Sequence, residues 1–292
     1  MNTHRRKTND VLRGTLCILA SAFFFALMSM FVRLAGELPA MQKAFFRNLV
    51  AAFTSALVLA RSGERFSIPK GSLFPLFMRG FLGTIGLICN YWVLGKIGIA
   101  DANMLLKLSP FFTILFSAYL LGEKPGKADI LCVCAAFLGT VFVVRPSAGI
   151  ASLPSLVGVL AAFCAGVAYS YVRKLGTMGV KGATVVAFFS FFSCLVCLPS
   201  LVFRYHPMTV GQWAYLLLAG CSAACAQFSI TAAYRYAPAR DISVFEYSQV
   251  PWAALLGIVF LREIPEVSSL IGYVIIISAA VLRFCVQRKK SA

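Results

Sequence analysis

Long apolar runs recur along almost the whole of this 292-residue chain, and they restrict its fold more than any other feature. One example, residues 102–121, contains a single charged residue, Lys107, and a single proline, Pro110. A helix of about 20 such residues, at about 1.5 Å per residue, crosses the roughly 30 Å hydrocarbon core of a bilayer. Apolar residues make up 60% of the chain and charged residues only 13%, whereas roughly a quarter of the residues in soluble domains are charged. The sequence therefore predicts an all-α integral membrane protein.

Charged residues, glycines and prolines divide the apolar sequence into ten predicted transmembrane helices. The predicted spans are residues 14–34, 42–60, 72–94, 102–121, 129–145, 154–173, 182–203, 212–234, 241–261 and 267–286. Loops of about 5 to 12 residues connect them, which leaves no room for a soluble domain. No small-residue cleavage site follows the first span, so we expect it to stay in the protein rather than act as a signal peptide.

The fourth and ninth predicted spans share one sequence skeleton, which indicates an internal repeat. The shared stretches are residues 101–125 and 241–265, and each opens with Asp, contains one charge and one Pro within the apolar run, and closes on Glu-x-Pro. The matched pairs Asp101/Asp241, Glu123/Glu263 and Pro125/Pro265 are each 140 positions apart, whereas Pro110 and Pro251 are 141 apart. Because five spans per copy is an odd number, the second copy must enter the membrane from the opposite side. The sequence thus predicts two inverted five-helix repeats, residues 1–145 and 146–292, of the kind that encloses a substrate site near the midplane of secondary transporters.

Basic residues predict the orientation of the chain. There are 27 Lys and Arg against 10 Asp and Glu, and most of the basic residues lie in the loops on the side of the N-terminus. Cytoplasmic loops are enriched in Lys and Arg, so we expect both termini in the cytoplasm of a cell bounded by a bacterial inner or plasma membrane. This placement accounts for the basic excess without a nucleic-acid partner.

Several short motifs resemble the EamA-type members of the drug/metabolite transporter superfamily, and the resemblance covers nearly the whole chain. The motifs are FFRNLVAAF around Arg47, RGFLG from Arg79 to Gly83, LLKLSPFF with Ser109 and Pro110, and the closing LLGEKP and FLREIP. The resemblance implies ten spans in two repeats. It also implies transport of small metabolites, such as amino acids, nucleosides or related compounds, with no single substrate shared by the family.

Lys107 and Glu246 are the charges hardest to explain as helix packing, because a charge inside a span costs about 2.5 to 3.5 kcal/mol on insertion scales. Counting from opposite ends of uninterrupted helices places the two about 12 Å apart along the membrane normal. We therefore expect two separate charged stations on either side of the midplane. Such stations suit a substrate that carries both charges, or a Glu246 that takes up a proton.

Other polar residues are candidates to line the same pathway, although each also suits helix-helix contacts. They are Asn90, Tyr91, Asn103, Tyr169, Gln227 and Tyr247. Pro110 and Pro251 predict kinks or breaks in their spans, because proline removes a helical hydrogen bond and clashes with the preceding turn.

The remaining charged candidates are interpreted mainly as structural. Arg47 and Arg79 lie near the ends of their spans and are expected to snorkel to the interface, with attraction of an anionic substrate at its entrance as the alternative. Asp101 and Asp241 are predicted N-caps of the fourth and ninth spans. Glu123 and Glu263 are predicted interfacial anchors next to the starts of the fifth and tenth spans, where Pro125 and Pro265 favour a first helical turn. The last four of these charges come from the repeated skeleton.

These features favour a secondary transporter that moves a small polar metabolite, with efflux preferred, by alternating access. No GxxxxGK[ST] phosphate-binding loop is present, so we expect protons, another coupling ion or exchange to supply the energy, and no cofactor. The ten cysteines lie in or beside apolar runs, and Cys194-x-x-Cys197 has no His or acidic residue nearby, so no metal site is predicted. A homodimer is an alternative to a monomer.

The alternative function is a membrane-embedded enzyme that acts on a lipid substrate with Glu246 as base. A third interpretation, a channel, would need a continuous polar stripe through several helices.

Overall fold

Long α-helices form where the sequence has long apolar runs. The computed structural model describes residues 2–61, 68–121, 130–131, 134–135, 137–139, 142, 152–236 and 243–291. The described residues include the α-helices α1 (Asn2–Leu34), α2 (Ala40–Arg61), α3 (Leu73–Leu94), α4 (Ile99–Leu106), α5 (Ser109–Leu121), α6 (Leu153–Thr177), α7 (Gly182–Phe203), α8 (Val210–Tyr236), α9 (Gln249–Leu256) and α10 (Val267–Ser291). A 3₁₀-helix, Ser243–Ser248, precedes α9, and a π-helical turn, Gly257–Leu261, follows it.

Six of the described helices, α1, α2, α3, α6, α7 and α8, are long and apolar enough to cross a membrane. Large apolar side chains point outward from the bundle; Phe53 is 70% exposed and Phe203 is 84% exposed. A soluble protein rarely exposes so much contiguous apolar surface, whereas lipid solvates it. The prediction of an all-α membrane protein is therefore confirmed at this level, while most of the predicted fifth span, residues 129–145, lies outside the described residues.

The fourth and ninth predicted spans are interrupted rather than continuous. Helix α4 ends at Leu106, Lys107 and Leu108 form a turn, and α5 begins at Ser109 with Pro110 as its second residue. In the ninth span the 3₁₀-helix gives way to α9, and Pro251 lies in the first turn of α9. Proline is tolerated in a first turn because the backbone N–H groups there have no intrahelical partner. Each interruption therefore comes just before a proline.

Helices from the two halves of the sequence pack against one another. Helix α1 packs along α8, α3 along α6, and α2 along α7, while α5 contacts α6 and α9 contacts α1. At the α3–α6 crossing, a Cβ on Gly86 would lie only 3.1 Å from the carbonyl oxygen of Ala161. Glycine thus allows the two backbones to approach closely, as small residues do in membrane helix pairs.

The predicted cap of α4 is wrong by three residues. Gly98 occupies the N-cap position, and Asp101 lies in the first turn, where its Oδ1 accepts a 2.6 Å hydrogen bond from the Tyr273 hydroxyl of α10. The N–H of Ile99, at the start of α4, instead donates to Glu263 Oε2 at 2.9 Å. The Glu263 carboxylate, from a distant part of the chain, thus accepts the hydrogen bond that an N-cap side chain would otherwise accept. Asp101 binds α10 instead.

Two further predictions concern the ends of the repeated skeleton. The last helix begins at Val267, which is the predicted first residue of the tenth span, whereas the prediction that Pro265 lies in its first turn is wrong. Asp241 and Glu123 lie outside the described residues, as does Pro125.

Candidate functional site

A cavity of about 120 Å³ lies at the centre of the bundle. A single water molecule needs roughly 10 to 15 Å³ on such a measure, so the cavity has room for several waters or a small polar molecule. Residues from both halves of the chain line it, including four with charged side chains: Arg47, Arg79, Lys107 and Glu246. Among the predicted pathway residues, Asn90, Asn103, Tyr169 and Gln227 also line this cavity.

Lys107 and Glu246 form an ion pair across the cavity, which corrects the predicted separation of about 12 Å. Lys107 Nζ lies 4.0 Å from Glu246 Oε2, and the two side chains are 11% and 18% exposed. The prediction assumed two straight helices. Lys107 instead lies in the turn between α4 and α5, and Glu246 lies in the 3₁₀-helix, where the rise per residue is about 2.0 Å rather than 1.5 Å. The two interruptions bring these charges together.

Arg79 is buried in the protein instead of snorkelling to the interface, which corrects a second prediction. It is 8% exposed, and its Cζ lies 4.2 Å from the ring centroid of Phe189 and 5.9 Å from that of Tyr169. Gly83, one helical turn further along α3, explains the direction of the side chain. A Cβ at Gly83 would lie 2.1 Å from Arg79 Nη1, so only glycine allows the guanidinium to lie across the helix and reach the cavity.

Arg47 is likewise buried, 3% exposed, where snorkelling was predicted. Its Nη1 donates a 2.5 Å hydrogen bond to Oδ1 of the neighbouring Asn48, whose Nδ2 in turn donates to Ser193 Oγ of α7 at 2.7 Å. This chain of hydrogen bonds fixes α2 against α7 and holds the guanidinium at the cavity wall.

Asn103 is the centre of a hydrogen-bonded group that sequence reasoning did not find. Its Oδ1 accepts from Ser29 Oγ of α1 at 3.2 Å and also from Gln249 Nε2 of α9, and its Nδ2 donates to the Ile99 carbonyl at 2.7 Å. Ser29 and Gln249 are polar residues in otherwise apolar segments, and this is the sequence feature that could have indicated the hydrogen-bonded group. The group joins three helices, and its three side chains, although buried, line the cavity.

Two predicted pathway residues do not line this cavity. Tyr91 is 1% exposed, and its hydroxyl contacts Met28 Sδ at 3.5 Å in the core between α1 and α3. The hydroxyl of Tyr247 donates to the Lys107 carbonyl at 3.2 Å. That carbonyl belongs to the interruption between α4 and α5, so Tyr247 satisfies a backbone group that a continuous helix would have used.

A second charged region, which we call the Arg33–Glu263 junction, lies at the start of α4. Arg33 Nη2 is 2.9 Å from Glu263 Oε1, Arg33 Nε donates to the same oxygen at 3.0 Å, and Arg33 Nη1 donates to the Leu94 carbonyl at 2.9 Å. Glu263 Oε2 accepts from the Ile99 N–H. The junction therefore joins the ends of α1 and α3 to the start of α4 and to the segment before α10.

Comparison with known proteins identifies the family. The sequence profile of the EamA-like transporter family matches residues 12–145 and again residues 153–285. The chain belongs to the EamA-like transporter family. The resemblance drawn from the sequence motifs is thereby confirmed.

Curated relatives of this EamA-like protein carry transporter names. The chain is 30% identical over 276 residues to the pseudopaline exporter CntI of Pseudomonas aeruginosa, covering 93% of this chain and 96% of that protein. It is 28% identical to the riboflavin transporter of Vibrio cholerae, covering 96% and 95%, and 25% identical to human solute carrier family 35 member G1, covering 86% and 73%. A solved crystal structure matches with a TM-score of 0.66 at 17% identity over 96% of this chain and 99% of that one, which supports the fold alone. The family and these names indicate a transporter rather than an enzyme.

Proposed function

We propose that this protein is a secondary transporter that moves a small polar metabolite across the membrane by alternating access, with the central cavity as its substrate site. The observation that carries the proposal is the cavity itself, in which Arg47, Arg79 and Lys107 from the first half of the sequence face Glu246 from the second. Buried charges in membrane helices are costly and usually belong to substrate or ion pathways. Membership of a transporter family supports the same reading.

The helix contacts support a pair of related halves. An offset of 140 residues relates α1 to α6, α2 to α7 and α3 to α8. Exchanging the two halves turns the α1–α8 contact into the α3–α6 contact and leaves the α2–α7 contact unchanged. A pseudo-two-fold axis between the halves produces this pattern of contacts. With five spans in each half, the repeat is inverted, and rocking of the halves around a central site provides alternating access.

The Lys107–Glu246 pair is the proposed link between substrate and energy supply. Each residue lies at an interruption of its span, where the backbone can adjust more easily than in a continuous helix. Uptake of a proton by Glu246 removes its attraction for Lys107 and loosens the contact between the interruptions. We propose that a proton exchanged at Glu246 accompanies substrate efflux, with both termini in the cytoplasm.

The experiment is flux into proteoliposomes made with the purified full-length chain. A panel of labelled amino acids, organic acids and nucleosides is offered with and without a pH gradient, and protein-free liposomes give the background. Saturable flux that depends on the gradient, and that loses this dependence in Glu246→Gln, is the expected result. Flux indistinguishable from protein-free liposomes for every class of compound contradicts the proposal of a carrier, whereas saturable flux that is equal in Glu246→Gln contradicts only the role of Glu246.

A further inference from the structure

The charges around the central cavity do not balance. Among the described residues that line it, three are cationic, Arg47, Arg79 and Lys107, and one is anionic, Glu246. The Glu246 carboxylate is paired with Lys107. The two guanidinium groups therefore remain as an excess of positive charge in a site that is largely shielded from water.

The hydrogen-bonding capacity of the two arginines is also incomplete. The Nε atoms of Arg47 and Arg79 are buried without a hydrogen-bond partner among the described residues. Arg79 lies against the rings of Phe189 and Tyr169, which stabilise a cation but accept no hydrogen bond in the plane of the guanidinium. A buried charged donor without an acceptor costs free energy, and an anion in the cavity that both arginines line would offset part of this cost.

The chemistry of guanidinium selects the kind of acceptor. Arginine presents a planar fork of N–H donors that matches a carboxylate in a bidentate arrangement. Phosphate groups also bind arginine, but a phosphate monoester carries about −1.5 to −2 charges and would share the cavity of about 120 Å³ with the Glu246 carboxylate. A planar, singly charged carboxylate fits the two forks with less repulsion from Glu246.

We propose that Arg47 and Arg79 form a carboxylate-binding subsite, and that the substrate class of this protein is small organic acids with a net negative charge. The inference rests on the proposed function of the cavity as a substrate site, and it adds the chemical class of the substrate. Gly83 leaves room for the Arg79 guanidinium, which lies against the Phe189 ring, and Arg47 is hydrogen-bonded to Asn48. The subsite is thus formed before the acid arrives, and little ordering is required on binding.

The test measures binding rather than transport, so that it is independent of the coupling mechanism. Purified full-length protein in detergent is titrated by calorimetry with three molecules of nearly equal size: succinate, succinamate and succinamide. A second series, glutarate with its amides, repeats the comparison at greater length, and glycerol 3-phosphate represents phosphate esters. The variants are Arg47→Gln and Arg79→Gln, and the matched control is Arg204→Gln, an exposed arginine that does not line the cavity.

We expect each acid to bind at least about tenfold more tightly than its uncharged diamide, as charge-assisted hydrogen bonds require. The preference should be lost in Arg47→Gln and Arg79→Gln and retained in Arg204→Gln. Arg79→Lys, which keeps the charge but not the fork, should retain only part of the preference and serves if the glutamine variant does not fold.

Four results overturn the inference: diamides that bind as well as acids, an acid preference that survives in both glutamine variants, glycerol 3-phosphate bound more tightly than every acid in the two series, or no binding of any acid at millimolar concentration. Binding of acids without flux in proteoliposomes would support the carboxylate subsite and contradict the carrier function. Saturable flux of neutral compounds alone would support the carrier function and contradict the carboxylate subsite.

Discussion

The central cavity and the Arg33–Glu263 junction each contain a buried or half-buried arginine, but the protein treats the two arginines differently. At the junction, all three guanidinium nitrogens of Arg33 contact oxygen acceptors within 3.0 Å. In the cavity, Arg79 lies against aromatic rings, and its Nε has no acceptor among the described residues. A fully partnered charge holds elements together. An incompletely partnered one lowers stability and is retained where it serves binding.

The largest expected effect is the loss of stability when the ion pair in the cavity is broken. Lys107→Met removes the partner of Glu246 inside the cavity and should lower the free energy of unfolding by about 3 kcal/mol, since breaking a buried ion pair leaves a poorly compensated charge. Thermal unfolding in detergent measures the change. The double variant Lys107→Met/Glu246→Gln should recover most of the loss; an equally unstable double variant would mean that packing of the lysine chain, rather than charge, is responsible.

The second prediction concerns the junction. Arg33→Gln should lower the free energy of unfolding by about 1 to 2 kcal/mol, because it removes charge-assisted hydrogen bonds in a partly exposed pair. The preference for acids over amides should stay at the wild-type value. Glu263→Gln should act similarly, and the two losses should not add, because both remove one interaction. A changed acid preference in either variant would show that the junction belongs to the binding site.

The third prediction concerns a variant that displaces Arg79 without removing its charge. Gly83→Ala places a methyl group about where Arg79 Nη1 lies, so the guanidinium must leave its position over the helix. Affinity for acids should fall by about tenfold, or about 1.4 kcal/mol, with a small change in unfolding temperature. Gly176→Ala is the matched control, because nothing lies within 4 Å of its added methyl group. Equal affinities in the two alanine variants would contradict the assigned role of Gly83.

The smallest expected effect is on stability when the unbalanced charge is removed. Arg79→Met replaces a poorly partnered buried cation by an apolar chain of similar length, so the free energy of unfolding should be unchanged or higher by up to about 1 kcal/mol. Thermal unfolding beside Arg33→Gln provides the comparison. A loss of stability equal to that of Arg33→Gln would remove the distinction between the two regions.

Local chemistry explains which parts of the structure the sequence could predict. Apolar length alone is enough to place helices such as α1, α7 and α8 in a membrane, and the family follows from motifs that include Arg47 and Arg79. Proline chemistry accounts for interruptions at the starts of α5 and α9. These features depend on residues that are neighbours in the sequence.

The positions of the charges depend on contacts between distant segments, which the sequence does not display. The approach of Lys107 to Glu246 requires two interruptions to meet. The inward direction of Arg79 depends on the absence of a side chain at Gly83 and on a ring from α7. A rule such as snorkelling treats each arginine as if it had only lipid and water for surroundings, and it fails where a neighbouring helix supplies a better environment.

The hydrogen bond between Tyr247 and the Lys107 carbonyl also bears on the symmetry of the two copies of the repeat. The two positions are 140 residues apart, which is the offset of the sequence repeat. Two identical copies would carry the same side chain at both positions. Here position 247 contributes a phenol hydroxyl and position 107 a backbone carbonyl, so the contact is asymmetric, and the amine of Lys107 faces Glu246 instead.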